Sequence, residues 1–398
     1  MEQVSLYFHV PFCRHRCSYC DFNTYAGLER FMPAYVDALC REIEAVSREA
    51  PEPLPVHTLF FGGGTPSLLS AAMYARIIAV IERNFRLDPQ LEFTIEANPG
   101  TVGPDYLKDI HSLGVNRISY GMQSAHEDDL RLLERQHRME EVAQAVAWSR
   151  QAGFDNLSLD LIFGIPYQDM ARWQATLRQA LQLAPEHLSL YALTLEHGTP
   201  MQHQVAAGQL PAPDDDLAAD MYDYACEQLE AHGYRQYEIS NWARGDDPRR
   251  ELTCRHNLQY WRGLPYLGLG AGAHGFAAGV RTANVLGIPA YIQRCQASHS
   301  GPFPVGPATA QSIPVDRRAQ MEEFMMVGLR LTAEGVAQED FTARFQQAID
   351  EVFPEEVADL LHKGLLEWVE DGKTRLRLTP RARLLGNLVF SSFVSEGE

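Results

Sequence analysis

Short apolar segments alternate with amphipathic helical patterns through the first half of the sequence. The candidate strands are Ser5–Val10, Val56–Phe61, Leu91–Glu96, Arg117–Tyr120, Leu157–Phe163 and His187–Leu193. The helical patterns between them are Met32–Arg48, Ala71–Phe85, Pro104–Leu113, Met139–Ala152 and Ala171–Leu183. Strands that are joined by helices form a parallel sheet with the helices packed outside it. The sequence therefore predicts an α/β fold, as a partly or fully closed barrel whose functional residues lie at the carboxyl ends of the strands.

Three cysteines follow the first predicted strand, at Cys13, Cys17 and Cys20, with the spacing C-x3-C-x2-C. Three thiolates brought to one loop suit a soft metal site, above all an iron–sulfur cluster. A closed four-iron site usually has four cysteines, and Cys40 lies in a predicted helix, where it is a poor fourth ligand. We therefore expect one iron to be open to an outside ligand. A zinc site without its fourth ligand and chance clustering are the alternative interpretations.

Composition limits the class of protein and its partners. The length of 398 residues suggests two or three domains, and 52 acidic against 34 basic residues give a net charge of −18. Nucleic acid is an unfavourable partner, because its binding depends on neutralising phosphates with Lys and Arg. The four other cysteines are scattered, as in proteins of a reducing compartment. No signal peptide or membrane span is recognisable, so the sequence predicts a soluble, cytoplasmic protein.

Glycines and polar residues stand at or near the ends of other predicted strands. Gly62–Gly64 would let a backbone approach a ligand closely, and no phosphate-loop lysine follows them. Glu96 and Asp160 are acids in apolar strands, which is costly unless a partner satisfies them. Gln123 offers both a donor and an acceptor. Structural interpretations are also open, as a tight strand-to-helix turn for the glycines and as a helix cap or a salt bridge for Glu96.

Four segments together resemble the family of oxygen-independent coproporphyrinogen III oxidase, within the radical S-adenosylmethionine (SAM) superfamily. These segments are Tyr7–Cys13, Gly62–Pro66, Ile95–Pro99 and Asp160–Pro166. The resemblance runs nearly the full length of the chain and implies a partial (β/α)6 radical-SAM barrel. It also implies that the three cysteines hold a [4Fe–4S] cluster, whose open iron binds the amino and carboxylate groups of SAM.

The same resemblance implies roles for further residues. Those that would contact this SAM are Tyr7, Gly63 and Glu96. Those that match positions touching a second SAM in the oxidase are Gly64, Thr65, Gln123, Arg135 and Asp160. The resemblance leaves open whether one or two SAM molecules bind. Without it, Arg135 is interpreted as a solvated helix residue.

Two departures separate the chain from the oxidase itself. The oxidase has a further cysteine two residues after the third, where this sequence has Phe22. It also has a long N-terminal extension that reaches over its substrate, whereas twelve residues precede Cys13 here. Both departures lower the expectation of oxidase activity.

One addition points to another branch of the family. The segment Cys254–Trp261 contains H-N-x-x-Y-W and resembles the signature of HemW, the haem-chaperone branch. His256 can ligate haem iron through its imidazole, and the aromatic faces of Tyr260 and Trp261 can pack on a porphyrin. From the residues alone, a buried His-Asn pair that caps a turn beside core aromatics is the alternative. His274 is a second candidate ligand.

We expect three regions along the chain: a radical SAM core barrel over residues 1–235, an insertion or linker carrying the haem motif over 236–315, and a C-terminal α+β, winged-helix-like module over 316–398. The helical patterns of the last region are Met321–Leu331, Phe341–Phe345, Glu355–Lys363 and Arg381–Phe393. Asp371-Gly372 signals a hairpin between Leu366–Val369 and Thr374–Leu378.

Three further segments have local signals. Asp214–Asp216 places acids where a helix begins. The proline-rich stretch Gly301–Pro314 predicts a linker. The longest run without charge, residues 263–280, contains six glycines and predicts a turn region.

The main functional hypothesis is a haem chaperone that binds a [4Fe–4S] cluster, SAM and haem, and transfers haem to respiratory proteins. The cluster and SAM would then support assembly, dimerisation or regulation of the transfer, and any membrane association would be through partners. The alternative is an enzyme, the oxygen-independent coproporphyrinogen III oxidase, which oxidatively decarboxylates propionate side chains through a SAM-derived radical. A third hypothesis is radical chemistry that opens or alkylates the haem ring.

Overall fold

The computed structural model describes residues 3–245, 251–297, 301–369 and 374–395. It divides the chain into two compact units, of which the first comprises Met1–Gln228 and Pro265–Ile313 and the second Leu229–Leu264 and Pro314–Glu398. The segment 236–315 is therefore shared between the two units. Within the described ranges, no helix is both long enough and apolar enough to cross a membrane.

The described residues form the following strands and helices. The strands are β1 (Val4–Val10), β2 (Phe12–Cys13), β3 (Tyr25–Ala26), β4 (Pro55–Gly63), β5 (Arg86–Ala97), β6 (Arg117–Gln123), β7 (Leu157–Phe163), β8 (His187–Ala192), β9 (Tyr234–Glu238), β10 (Asn241–Arg244), β11 (Tyr266–Leu269), β12 (His274–Ala277), β13 (Val280–Asn284), β14 (Thr309–Pro314), β15 (Val336–Ala337), β16 (Leu366–Val369) and β17 (Arg375–Leu378). The helices are α1 (Met32–Glu49), α2 (Ala71–Asn84), α3 (Pro104–Ser112), α4 (Glu127–Leu132), α5 (Met139–Ala152), α6 (Met170–Gln182), α7 (Pro200–Ala206), α8 (Asp215–Ala231), α9 (Arg255–Trp261), α10 (Ile288–Ala297), α11 (Arg317–Gly328), α12 (Gln338–Phe345), α13 (Ile349–Val352), α14 (Pro354–His362) and α15 (Gly386–Ser391).

A large sheet forms the centre of the first unit, with the strand order β14-β13-β12-β11-β1-β4-β5-β6-β7-β8. The six strands β1, β4, β5, β6, β7 and β8 pair in parallel and are joined by helices, as the alternation in the sequence predicted. In the described chain no pairing joins β8 back to β1, so the barrel is open rather than closed. The partial barrel is therefore confirmed, and a fully closed one is not.

The helices cover the parallel sheet because each has one apolar face. In α1 the buried side chains include Val36, Leu39 and Ile43, spaced three and four residues apart. Burial of each such side chain contributes roughly 1.5–3 kcal/mol. Several helices begin at a side-chain cap: the Asp214 carboxylate accepts from the backbone N–H of Leu217, which confirms the predicted start of α8.

Four strands extend the parallel sheet beyond β1, and the sequence did not predict them. The prediction that residues 263–280 form a turn region is wrong, because β11 and β12 lie within it and β11 pairs in parallel with β1. The glycines permit close strand approach: a Cβ atom at Gly268 would lie 1.9 Å from the carbonyl oxygen of His274. The predicted linker Gly301–Pro314 ends in β14, the edge strand of this sheet.

The second unit has its own apolar core, built from helices α11 to α14 and a three-stranded sheet. The predicted hairpin is confirmed as β16 and β17, which pair antiparallel with Leu366 opposite Leu378. Its predicted turn, Asp371-Gly372, lies outside the described residues. The last predicted helix is wrong in form: a 3-10 turn over Pro380–Leu385 precedes the short α15, which begins at the weak helix former Gly386.

Candidate cluster and cofactor site

The cysteine loop leaves β1 at Pro11 and folds back on itself. The short strands β2 and β3 pair in parallel, with Cys13 opposite Ala26, and the N–H of Tyr25 donates to the Pro11 carbonyl at 2.8 Å. Inside this closed loop, the N–H of Cys20 donates to the Cys17 carbonyl at 3.2 Å. All three cysteines consequently line one cavity of about 470 Å³ at the carboxyl ends of the strands.

The thiols meet hydrogen-bond donors inside this cavity. The Thr65 hydroxyl donates to Cys13 Sγ at 3.6 Å, and Nη1 of Arg135 donates to Cys17 Sγ at 3.7 Å. Burial raises the pKa of the Cys13 and Cys20 thiols, so the free thiols are held protonated. Donors to sulfur favour thiolates bound to a metal, because they stabilise the negative charge that binding leaves there.

The three cysteines fit the donor set of an iron–sulfur cluster with one open iron. Among the described residues, no three His, Cys, Asp or Glu side chains converge closely enough to bind one metal ion. A four-iron cluster makes a different demand, because each cysteine thiolate binds a different iron atom. Three cysteines around one cavity meet that demand for three of the four irons.

The glycines after β4 press against the segment that leads to the cysteines. The N–H groups of Gly64 and Thr65 donate to the carbonyls of Val10 and Phe12 at 2.9 and 2.8 Å. A Cβ atom at Gly64 would lie 2.6 Å from the Phe12 oxygen. Gly63 adopts a φ of +105°, which glycine tolerates far better than other residues. Glycine at these two positions therefore lets the backbone lie against the cysteine loop and form a wall of the cavity.

Two carboxyl groups face the same cavity from β5 and β7. Glu96 accepts a hydrogen bond from the N–H of Gly63 at 3.1 Å, and Asp160 accepts from the Ser119 hydroxyl at 3.0 Å. Burial, together with the nearby charge of Asp160, raises the pKa of Glu96 to about 7. Burial likewise raises the pKa of Asp160. Both carboxylates would be stabilised by a ligand that carries a positive charge, because an opposite charge favours the ionised form.

Arg135 joins the cysteine loop to the strand ends. Its Nη2 donates to the Gly121 carbonyl at 2.9 Å and to Oδ1 of Asn98. The neighbouring Glu134 has a φ of +56°, and Gln123 one of +63°, both in the left-handed region that non-glycine residues adopt at a conformational cost. These turns aim the side chains of Gln123 and Arg135 into the cavity.

The structure therefore brings most of the predicted site residues together. Those that line the cavity are Cys13, Cys17, Cys20, Gly63, Gly64, Thr65, Glu96, Gln123, Arg135 and Asp160. Tyr7 is not among the lining residues: its hydroxyl lies 2.9 Å from Nδ1 of His9, and burial and the charge of Glu96 raise its pKa. Tyr7 thus lies close to Glu96, behind the wall.

Asn98 lines the cavity although it was not a predicted site residue, whereas the run Leu190–Leu193, which the sequence predicts as pocket lining, reaches the cavity through Tyr191, Ala192 and Leu193. Asn98 orients Arg135 and also donates through Nδ2 to the Thr65 hydroxyl at 3.0 Å. Tyr191 reaches the cavity from the end of β8, and its side chain is exposed. The position of both residues at strand ends was the available signal, since polar groups there face the mouth of an α/β barrel.

The two candidate haem ligands lie in different units. His256 is on α9 in the second unit, with 1% of its surface exposed, and its Nε2 lies 2.8 Å from the Tyr260 hydroxyl. The two rings also meet edge to face, and the Arg330 guanidinium lies 4.4 Å from the centroid of the Trp261 ring. His274 is exposed at the start of β12 in the first unit. Within the second unit, His256 therefore contacts Tyr260 of its own motif, and Trp261 contacts Arg330.

Comparisons with known proteins agree with this fold and site. The model of the radical SAM superfamily matches residues 7–180, and that of the HemN C-terminal domain matches residues 315–385. A solved structure of coproporphyrinogen III oxidase (HemN) from Escherichia coli superposes with a TM-score of 0.82 at 23% identity, over 98% of this chain and 90% of that one. That likeness shows a shared fold.

Sequence relatives identify the family more closely. The protein named heme chaperone HemW from Bacillus subtilis is 36% identical over 98% of this chain and 99% of its own length. The heme chaperone HemW of Mycobacterium tuberculosis strain H37Rv is 37% identical, over 98% of this chain and 94% of that protein. A mitochondrial radical S-adenosyl methionine domain-containing protein 1 from Danio rerio is 36% identical over 84% of this chain and 74% of that one. The chain therefore belongs to the HemW family within the radical SAM superfamily.

Proposed function

We propose that this protein is a haem chaperone that binds a [4Fe–4S] cluster, SAM and haem, and transfers haem to respiratory acceptor proteins in the cytoplasm or at the membrane surface. The observation that carries the proposal is the similarity, over nearly the whole chain, to proteins named heme chaperone. Phe22 supports it: the residue that stands where the oxidase has a fourth cysteine is an exposed aromatic side chain.

In this proposal Cys13, Cys17 and Cys20 hold the cluster through their thiolates. When bound, the cluster supplies an iron that ligates SAM and a reversible one-electron centre. Thr65 and Arg135 donate hydrogen bonds to two of the thiolates and keep them oriented.

The acidic wall of the cavity then orients SAM. The Glu96 carboxylate, which accepts from the backbone N–H of Gly63, would accept a hydrogen bond from the amino group of SAM. Gly64, Gln123 and Asp160 line the remaining wall, where the resemblance places contacts to a second SAM. Tyr7 lies behind the glycine wall of the cavity, next to Glu96, and contributes to the SAM site from there.

His256 is the proposed haem contact, and its burial gives the proposal a specific requirement. The imidazole can ligate iron through Nε2 only if the hydrogen-bonding contact with Tyr260 is released. We therefore expect haem binding to open the α9 region. The haem would then pack against the aromatic rings of Tyr260 and Trp261.

The test offers both candidate substrates to one preparation. The full chain is reconstituted anaerobically with iron and sulfide, and haem binding is titrated by absorbance. Coproporphyrinogen III, SAM and reductant are then supplied separately. The proposal predicts stoichiometric haem binding and no protoporphyrinogen beyond a single turnover. Protoporphyrinogen formed at catalytic turnover would overturn it in favour of the oxidase.

Two variants locate the haem. His256→Ala should weaken haem binding at least tenfold, whereas the control His362→Ala, which removes an exposed histidine of the same unit, should not change it. Tyr260→Phe keeps the ring but removes the contact with Nε2, so it should leave haem affinity unchanged or higher. Equal haem affinity in wild type and His256→Ala would exclude His256 as the ligand. The assignment of the three cysteines to the cluster would be unaffected by that result.

Partners follow from the same proposal. The acceptors are haem-dependent respiratory proteins, and association with the membrane occurs through them. The charge of −18 disfavours nucleic acid as a partner. A homodimer formed with the help of the cluster is the assembly to be tested by size-exclusion chromatography with and without reconstitution.

A further inference from the structure

The cysteine loop is fastened at its far end by a residue that neither the motif nor the cavity lining identifies. Asn23 follows Cys20 by three positions, and its side-chain Nδ2 donates to the carbonyls of Ala271 and Leu286, both at 3.0 Å. Its own carbonyl accepts from Nε2 of His9 at 3.0 Å. One residue therefore ties the loop to β1 and to the chain on both sides of β12 and β13.

The turn that Asn23 contacts leaves room for its side chain at Gly272. A Cβ atom at Gly272 would lie 2.4 Å from Nδ2 of Asn23, and Gly272 has a φ of +80°. Glycine at this position thus leaves room for the amide, in a backbone conformation that glycine favours. The contact is tight, and no larger residue at position 272 would leave Asn23 in place.

The chain next to the two acceptor carbonyls is itself held in place by hydrogen bonds to a buried carboxylate. The buried Glu42 carboxylate accepts from the N–H of Gly270 at 2.8 Å, from Nδ2 of Asn284 at 2.6 Å and from the Tyr291 hydroxyl at 2.6 Å. Asn284 also donates to the Gly270 carbonyl at 3.0 Å. The acceptor Ala271 directly follows Gly270, and the acceptor Leu286 lies two residues after Asn284, so both carbonyls neighbour residues that this network holds. The two hydrogen bonds of Asn23 therefore restrain the cysteine loop.

The other side of Asn23 leads to the proposed SAM site. A carbonyl oxygen only accepts, so Nε2 of His9 carries the proton toward Asn23, and Nδ1 accepts from the Tyr7 hydroxyl at 2.9 Å. The His9 ring also packs against Gly63, since a Cβ atom there would meet it at 2.5 Å. A displacement of Asn23 would therefore move His9, and with it Tyr7 and the glycine wall.

We infer that Asn23 is a positioning residue that holds the cysteine loop closed against the Gly270–Gly272 turn, and so sets how tightly a cluster would be retained and how SAM would bind beside it. This inference rests on the cluster and SAM site of the proposed function, and not on haem transfer. It assigns a role to the β11–β13 extension, which forms no part of the six βα units.

The test compares Asn23→Ala with Asn116→Ala. Asn116 makes a similar pair of contacts, to the Leu91 carbonyl at 2.7 Å and from the Phe93 N–H at 2.9 Å, but it directly precedes β6, at the amino end of that strand and away from the cysteine loop. Both variants lose two side-chain hydrogen bonds, so a purely structural role predicts similar behaviour. Each full-length protein is reconstituted, and the loss of iron to a chelator is followed under anaerobic conditions. The electron paramagnetic resonance spectrum of the reduced cluster is recorded with and without SAM.

We expect Asn23→Ala to lose iron about tenfold faster than wild type, the effect of one to two hydrogen bonds, and to show an altered SAM-induced change in the spectrum. Asn116→Ala should match wild type in both measurements. Equal iron loss and equal spectra in all three proteins would overturn the inference. A wild-type protein that assembles no cluster would instead overturn the proposed function.

Gly272→Ala gives an independent check. It should reproduce the fast iron loss, because its Cβ displaces the Asn23 amide. In the double variant with Asn23→Ala the two effects should not add, since the displaced side chain is already gone. Additive effects would show that position 272 acts by some route other than Asn23, and would contradict the assigned contact.

Discussion

Replacing Glu96 by glutamine should make the metal-free protein more stable at high pH while weakening SAM binding. Burial and Asp160 raise the pKa of Glu96 from its usual value of 4.5 to about 7. Each pKa unit corresponds to about 1.4 kcal/mol, so ionising Glu96 in the folded, ligand-free chain costs about 3 kcal/mol. Glutamine has almost the same shape, and its carbonyl can still accept from the N–H of Gly63.

The pH dependence has a defined sign. Below about pH 4.5 the carboxyl is protonated in both the folded and the unfolded state, so the substitution should change the free energy of unfolding little. Between pH 4.5 and 7 the unfolded chain ionises first, and wild-type stability falls relative to Glu96→Gln. Above pH 7 the difference should level off at about 3 kcal/mol in favour of the variant.

The assay is urea unfolding of both proteins at pH 5, 6.5 and 8, with Glu52→Gln, at an exposed position, as the matched control. Isothermal titration of the reconstituted proteins with SAM completes it. We expect SAM affinity to fall at least tenfold, because a charge-assisted hydrogen bond is lost. A stability difference that is the same at pH 5 and pH 8 would refute the electrostatic reasoning. Unchanged SAM affinity would remove Glu96 from the site.

Three further predictions follow from the same structure. Glu42→Ala should lower the free energy of unfolding by about 3 kcal/mol in urea titrations, because it leaves three buried donors without their acceptor; a loss below 1 kcal/mol would contradict the network. Arg135→Met should make the cluster's reduction potential more negative in a redox titration, because Cys17 loses a cationic donor; an unchanged potential would place that cation elsewhere. Phe22→Cys should restore no coproporphyrinogen turnover and change stability within about 0.5 kcal/mol, since the side chain is 60% exposed.

The sequence predicted the parallel half of the first unit because its signals are local. Each of the six strands is an apolar run, and each helix repeats its buried residues every three to four positions. The cluster cysteines could also be identified from the sequence, because the spacing C-x3-C-x2-C is itself the signal of such a site. Strands β11 to β13 were missed for a physical reason: β11 spans only Tyr266–Leu269, glycines flank it, and it becomes a strand by pairing with β1.

Asn23 shows why part of the site was beyond sequence reasoning. Its partners are backbone carbonyls 248 and 263 positions away, and a carbonyl acceptor leaves no mark on the residue type that carries it. His256 is a different case. The sequence allowed a haem ligand or a buried histidine beside aromatic residues, and the structure shows it buried beside Tyr260, which makes release of that contact the condition for ligation.

The most direct test of haem transfer uses membranes whose respiratory enzymes lack haem. The reconstituted protein is loaded with one equivalent of ferric haem, freed of excess, and mixed with membranes from haem-deprived cells, and the recovery of quinol oxidase activity is followed. The account predicts faster recovery than with the same amount of free haem, together with loss of haem absorbance from the protein. Recovery no faster than with free haem, with the haem retained on the protein, would contradict it.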